Sequence, residues 1–240
     1  MGRVLKNFKF FIKDSFPGVS KWIKVLLHPY RKIYNNRYNK KICSDFHLKA
    51  VTTFSHFCQA LDEANVKFWL TFGTLLGAIR EKGFISHDFD IDVAVFSDEN
   101  LTKAHDCLLK NGFKLSREIC IYTNNASAVG YEKTYTKDSV SIDIFIFYKE
   151  NEQHVYTYDF LDGTNIGNLM IYKTVRKISL PFDGLTEYKF LNNKVHIPSK
   201  HSKYLEAHYG ADFMVPNPNW TTRTSPAATV IDGAVGIEVL

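Results

Sequence analysis

The sequence predicts an α/β or α+β fold: a mixed sheet flanked by helices, preceded by a basic helical arm and ending in a loop-rich segment. Three observations predict it. Stretches of helical period and short strand-like stretches follow one another from Ser44 to Tyr158. Residues 1–49 hold 12 Lys or Arg against two acids, Asp14 and Asp45, a charge of +10, while the other 18 basic and 23 acidic residues give −5. The last 60 residues carry Pro181, Pro198, Pro216, Pro218 and Pro226, a texture of turns rather than of long elements. These features divide the chain into an arm, residues 1–43, and a domain, residues 44–240.

In the arm, Phe8, Phe11, Ile12, Trp22, Ile23, Leu26 and Leu27 recur at helical spacings, with lysines between them and a break at Pro17-Gly18. Such a segment can lie in the interface of an anionic membrane, or pack on the domain with its lysines solvated. No apolar run reaches the roughly 18 to 20 residues that cross a bilayer. Lys6, Lys9 and Lys13 interrupt what would otherwise read as a secretory leader. The expectation is a cytoplasmic protein, peripheral on the cytoplasmic face of a membrane. Cys43, Cys58, Cys107 and Cys120 are widely spaced and read as small buried hydrophobes rather than as a zinc site.

In the domain, Phe46, Ala50, Phe54, Phe57, Cys58 and Leu61 predict a helix stopped at Asn65. Lys67–Phe72 reads as a buried strand. Gly73-Thr74 then turns the chain into a brief helix around Leu75–Ile79 that ends near Gly83. Asp90–Phe96 alternates acids with apolar residues, as a strand with one special face does. Ser97 or Asp98 can cap the next helix, which runs to Asn111-Gly112. Strands follow at Phe113–Tyr122, Ala128–Tyr135, Val140–Tyr148 and Val155–Tyr158, and a helix at Ser199–Tyr209. Tyr188, Phe190, Leu191, Val195, Ile197, Tyr204 and Leu205 demand burial, so the last quarter should pack on the domain.

Residues two apart in a strand share a face, so Asp90 and Asp92 place two carboxylates side by side. A proton, a basic side chain or a divalent cation must offset their repulsion, and hard oxygen ligands suit Mg²⁺, which commonly also binds substrate phosphate. Asp143, alone in the apolar strand Val140–Phe147, needs a partner and would find one in a shared ion. Gly73-Thr74, between a strand and a helix N-terminus, lets backbone approach a phosphate; a purely structural turn is the other reading.

Trp69–Phe96, WLTFGTLLGAIREKGFISHDFDIDVAVF, resembles the signature of the LicD and fukutin family, a branch of the nucleotidyltransferase fold. Val140–Tyr148, VSIDIFIFY, resembles its second signature. Tyr204–Ala227, YLEAHYGADFMVPNPNWTTRTSPA, is similar to the fukutin-type ending, so the resemblance spans roughly Phe46–Ala228. It implies a nucleotidyltransferase-like mixed sheet and transfer of a phospho-alcohol (ribitol or glycerol phosphate, or phosphocholine) from a CDP-activated donor to a glycan hydroxyl.

By the same resemblance Asp90, Asp92 and Asp143 would bind Mg²⁺, with Mn²⁺ as substitute, while Gly73 and Thr74 would lie beside the donor phosphates. Arg80 would hold that loop or the donor. Arg223 would contact donor phosphate or form a structural ion pair. LicD-type sequences often read Trp-Asp-Asp-Asp-Ile-Asp where this chain has His87, Asp88, Phe89, Asp90, Ile91 and Asp92, so phosphocholine specificity is not carried over. Asp88 is the better candidate base for the acceptor hydroxyl; His87 is the other, and reads equally as a surface or donor-contacting residue.

The expected partners are therefore a CDP-linked donor, a glycan acceptor that can be lipid-linked, and an anionic membrane surface contacted through residues 1–40. The runner-up function is nucleotidyl transfer to a small molecule or protein on the same metal site. A nucleic-acid-binding protein relying on the basic arm is the third reading. It is disfavoured because the arm has no reader motif and the acidic domain would repel a phosphate backbone.

Overall fold

The structure is a computed structural model that describes residues 44–240 apart from Asp98, Asn100, residues 124–127 and Leu240. The arm at residues 1–43, with Cys43, lies outside the described residues, as does Asp98, one of the two expected helix caps. Helical periodicity makes the first helix, α1, over residues 44–64, and its apolar stripe of Phe46, Ala50, Phe54, Phe57, Cys58 and Leu61 is buried throughout. Asn65 ends it in the left-handed conformation (φ 54°), with the Val66 amide donating back to the Leu61 carbonyl.

The chain continues as β1 (Phe68–Leu70), α2 (Phe72–Arg80), β2 (Asp90–Phe96), α3 (Leu101–Lys110), β3 (Lys114–Tyr122), β4 (Ala128–Lys137) and β5 (Val140–Asn151). Then come β6 (His154–Ile166), β7 (Leu169–Pro181), β8 (Leu185–Phe190), β9 (Asn193–Pro198), α4 (His201–Tyr209), β10 (Ala228–Val230) and β11 (Val235–Val239).

The expected helix-flanked, nucleotidyltransferase-like mixed sheet is not what these elements build. Strands β5, β4, β3, β11, β7 and β6 pair in that order, and β6 returns to β5, closing a six-stranded barrel in which every pairing is antiparallel. Among the described strands β2 on β5 is the one parallel pair, and β1 lies antiparallel on β2.

Two segments account for the correction. β6 and β7 form a long hairpin, in register from His154 opposite Pro181 to Ile166 opposite Leu169, where the sequence suggested only Val155–Tyr158. β11, from the tail expected to be loop-rich, inserts between β3 and β7 and completes the ring. Closure leaves these six strands without an open edge. The strand expected at Lys67–Phe72 is shorter than predicted, because helix α2 already begins at Phe72.

Aromatic side chains join α1 to the sheet and to the β8–β9 hairpin. Phe54 meets Phe68 and Phe190 edge to face at 6.5 and 5.7 Å, and Phe57 meets Phe113 at 6.1 Å. Phe190, Val195, Ile197, Tyr204 and Leu205 are buried as expected, while Tyr188 and Leu191 are half-buried. No helix among the described residues is long and apolar enough to cross a membrane.

Candidate active site

The site begins with register. Asp92 on β2 and Asp143 on β5 are direct partners in the parallel pair, and Asp90, two residues earlier on β2, shares the face of Asp92. One carboxylate oxygen from each of the three lies within 4.8 Å of those of the other two. Asp143 is buried; Asp90 and Asp92 are half-buried.

Low solvation raises the proton affinity of all three, and neighbouring carboxylates add to the effect at Asp90 and Asp92. Asp90 is pushed up to about 7 by burial and then by Asp143 and Asp88, with Arg117 offsetting part of the effect. Asp92 rises well above the usual carboxylate range through burial and the charges of Asp90, Asp143 and Asp88. Asp143 rises through burial, opposed by Arg117 and a hydrogen bond from Thr134. Three convergent hard oxygens with excess negative charge are a donor set that fits Mg²⁺ or Mn²⁺.

The turn before α2 aims Asp92. The Gly73 amide donates to Asp92 Oδ2 at 2.9 Å, and the Asp92 amide donates to Thr74 Oγ1 at 2.8 Å. The polar groups of the Gly-Thr turn that the sequence assigned to donor phosphates are thus engaged with β2, although Gly73 also lines the cleft. A Cβ on Gly73 would lie 3.0 Å from Asp92 Oδ2 and 3.2 Å from Asp88 Oδ2, so only glycine leaves both carboxylates their places.

Just before it, Phe72 sits at φ 39°, a conformation that costs a non-glycine residue about 1–3 kcal/mol. Its ring is fixed by Phe145 and His208, each 4.8 Å away between centroids. Thr71 is tied to the buried Tyr204 hydroxyl of α4 at 2.9 Å. Packing of α4 therefore sets the turn, and the turn sets the carboxylate.

Asp90 and Asp92 open into a cleft of about 810 Å³, large enough for a nucleotide-sized ligand, with Asp143 behind them and not among its lining residues. Gly73, Arg80, His87, Asp88, Asp90 and Asp92 line one part of it, and Phe72, Phe145, His208, Tyr209 and Trp220 line an aromatic wall. Tyr209 and Trp220 lie 4.5 Å apart between centroids. His87 is exposed and Asp88 half-buried, with the Asp88 carboxyl raised by burial and then by Glu81 against the pull of His87, His47 and Arg80.

Comparison with known proteins fits this arrangement. The family described as LicD/FKTN/FKRP, nucleotidyltransferase domain, matches residues 65–200, more than half of the chain. The chain belongs to the LicD/FKTN/FKRP family. Among its relatives, ribitol-5-phosphate transferase FKTN of Macaca fascicularis is 28% identical over 170 residues, covering 70% of this chain and 34% of the relative. The Homo sapiens protein of the same name is 27% identical over the same shares. An uncharacterised protein of Rickettsia typhi is 27% identical over 222 residues, covering 84% of this chain and 66% of that protein. The chain therefore spans about a third of the length of the FKTN relatives it matches.

Within this LicD/FKTN/FKRP segment lie Gly73, Thr74, Arg80, His87, Asp88, Asp90, Asp92 and Asp143; Arg223 falls beyond it. Arg80 donates to the Phe213 carbonyl at 3.3 Å and pairs with Glu81 at 2.8 Å, so it fastens the loop that walls the cleft. Arg223 pairs at 2.6 Å with Asp162 in an exposed ion pair and is not among the residues lining the cleft.

Three groups around Asp143 were missed in the sequence. Thr134 donates to Asp143 Oδ1 at 2.5 Å, Arg117 reaches Asp143 Oδ2 at 3.5 Å, and buried Glu132 pairs with Arg117. Polar residues alternate on both faces of β4, and nothing in that pattern marks which face the acids share. Buried Arg176, missed as well, binds Asp159 and the carbonyls of Thr222 and Arg223, pinning the C-terminal turn.

Proposed function

We propose that this protein acts as a Mg²⁺-dependent transferase that moves a phospho-alcohol from a CDP-activated donor to a glycan hydroxyl, releasing CMP. The observation that carries the reading is the in-register pair Asp92 and Asp143, completed by Asp90, with Asp90 and Asp92 lining a cleft large enough for a nucleotide-linked alcohol. The name of the FKTN relatives, ribitol-5-phosphate transferase, supports ribitol phosphate as the transferred group ahead of glycerol phosphate and phosphocholine.

Asp90, Asp92 and Asp143 would hold the ion, with Mn²⁺ as substitute. When bound, the ion supplies Lewis-acid stabilisation of charge on the phosphoryl and leaving oxygens. Asp88, or His87 beside it, takes the proton of the acceptor hydroxyl. The acceptor oxygen bonds to the β-phosphorus, the bond from that phosphorus to the bridging oxygen breaks, and CMP departs. Arg80 keeps the Phe213 wall in place, and the aromatic wall excludes water from the reacting atoms. Asp90→Ala and Asp92→Ala should each abolish CMP release in a mass-spectrometric assay, and wild-type turnover in both would overturn the assignment.

The basic arm is placed by this reading on an anionic membrane surface, at its cytoplasmic face and close to lipid-linked glycans. Deleting residues 1–40 should release the protein from anionic vesicles in a flotation assay without abolishing donor hydrolysis. Unchanged vesicle binding would refute that role.

A further inference from the structure

We infer that Arg117, aimed by a β-bulge and braced by Glu132, is a positioning residue that orients Asp143 toward the ion held with Asp90 and Asp92. The inference rests on the metal reading above and adds to it a residue outside the family signatures quoted from the sequence. Its basis is a row of side chains across four neighbouring strands: Asp92 is the partner of Asp143, Asp143 of Thr134, and Thr134 of Arg117.

That last pairing depends on an irregularity. Leu115 pairs with Tyr135, yet the next paired residue on β3 is Arg117, opposite Thr134, so Ser116 is the extra residue of a bulge. The Ser116 hydroxyl donates to the Thr134 carbonyl at 3.1 Å. In a regular ladder Arg117 would oppose Lys133, whose side chain points to the other face of β4 from Thr134. One inserted residue thus turns the guanidinium onto the face of the acids.

Once there, the guanidinium is held on several sides. Nε donates to Thr134 Oγ1 at 3.1 Å, and Nη2 lies against Glu132 and 3.5 Å from Asp143 Oδ2. Thr134 passes the restraint on, donating to Asp143 Oδ1. Each Asp143 oxygen therefore has a partner on the β4 and β3 side, which fixes the rotation of the carboxylate opposite Asp92. Groups that orient a ligand in this way typically change metal affinity about 10- to 100-fold when removed.

The sign of the effect separates positioning from simple charge. A guanidinium near a cation site repels the cation, so at a pH where the acids are ionised in wild type and variant alike, charge alone would make Arg117→Met bind metal more tightly. Positioning predicts the reverse. The experiment is titration of the full chain with Mn²⁺, read by the paramagnetic resonance of the free ion, for wild type, Arg117→Lys, Arg117→Met and Asp92→Asn. The double variant Arg117→Met/Glu132→Gln is included so that no buried carboxylate is left unpaired, and near-ultraviolet circular dichroism confirms that each variant is folded.

The expected result is Mn²⁺ binding weakened about 10-fold or more in Arg117→Met and in the double variant, with a smaller loss in Arg117→Lys. Unchanged or tighter binding in folded Arg117→Met and double variants, while Asp92→Asn loses the ion, overturns the positioning role alone. Absence of Mn²⁺ binding by wild type, or binding that survives Asp92→Asn, overturns the metal reading and this inference with it.

Discussion

A Cβ on Gly73 would approach Asp92 Oδ2 to 3.0 Å and Asp88 Oδ2 to 3.2 Å, distances at which one of the partners must move. Both are ends of side chains, so the cost falls on the carboxylates rather than on the backbone. Gly73→Ala should therefore keep the fold, because Leu75, Leu76 and Ala78 still bury the face of α2. It should lower Mn²⁺ affinity and turnover about tenfold or more, since a ligand displaced by a few tenths of an ångström no longer meets its ion. Wild-type Mn²⁺ affinity in folded Gly73→Ala would show that the close approach has no role. The acids themselves were legible in the sequence, because a period of two places Asp90 and Asp92 together whatever the fold. The hydrogen bonds that Gly73 and Thr74 make to Asp92 were not: a Gly-Thr turn reads alike whether or not its amide meets a carboxylate of the next strand.

Helix α4 shows how an element away from the acids governs them. Its Tyr204 ties Thr71, and its His208 is buried between Phe72 and Trp220, with Nδ1 in a 2.9 Å hydrogen bond to the Ser225 hydroxyl. Burial, helped by Arg176, lowers the His208 pKa from 6.5 to about 3. Between those values the unfolded chain holds a proton that the native chain does not. The stability contribution is thus present above pH 6.5 and is lost as pH falls toward 3, with a slope of up to about 1.4 kcal/mol per pH unit. Asp90 and Glu132, raised to about 7 and about 8, act in the opposite sense, so the informative quantity is the difference between wild type and variant. In urea unfolding at pH 6.5 and 4.5, His208→Gln should lose less stability on acidification than wild type does; an identical loss in both would place the sensitivity elsewhere. Among elements, α1 and the β2 and β5 strands were readable because burial imposes their periods. The β6–β7 hairpin carried a legible signal in Gly167-Asn168, with Gly167 at φ 62°, that periodicity alone passed over. The bulge at Ser116 has no comparable sequence mark, which is why Arg117 was missed.

At the scale of the whole molecule, barrel closure brings the C-terminal strand β11 back between β3 and β7, and the turn before β10 is pinned by Arg176 at the edge of the cleft. Local patterns could not foretell this, since alternation defines a strand but not its neighbour, and the helix-flanked mixed sheet gave way to an antiparallel ring. The family and the acid cluster were more legible than the architecture, because short motifs carry them and neither depends on how the remaining strands close. The most direct test of the central claim is detection of CMP and of the modified acceptor when the full chain is given CDP-ribitol, CDP-glycerol or CDP-choline with a glycan acceptor, in Mg²⁺ or in EDTA. Metal-dependent CMP release from one donor, with the phospho-alcohol recovered on the acceptor, is the predicted result; consumption of nucleoside triphosphates instead, with the nucleoside monophosphate on the acceptor, would contradict it.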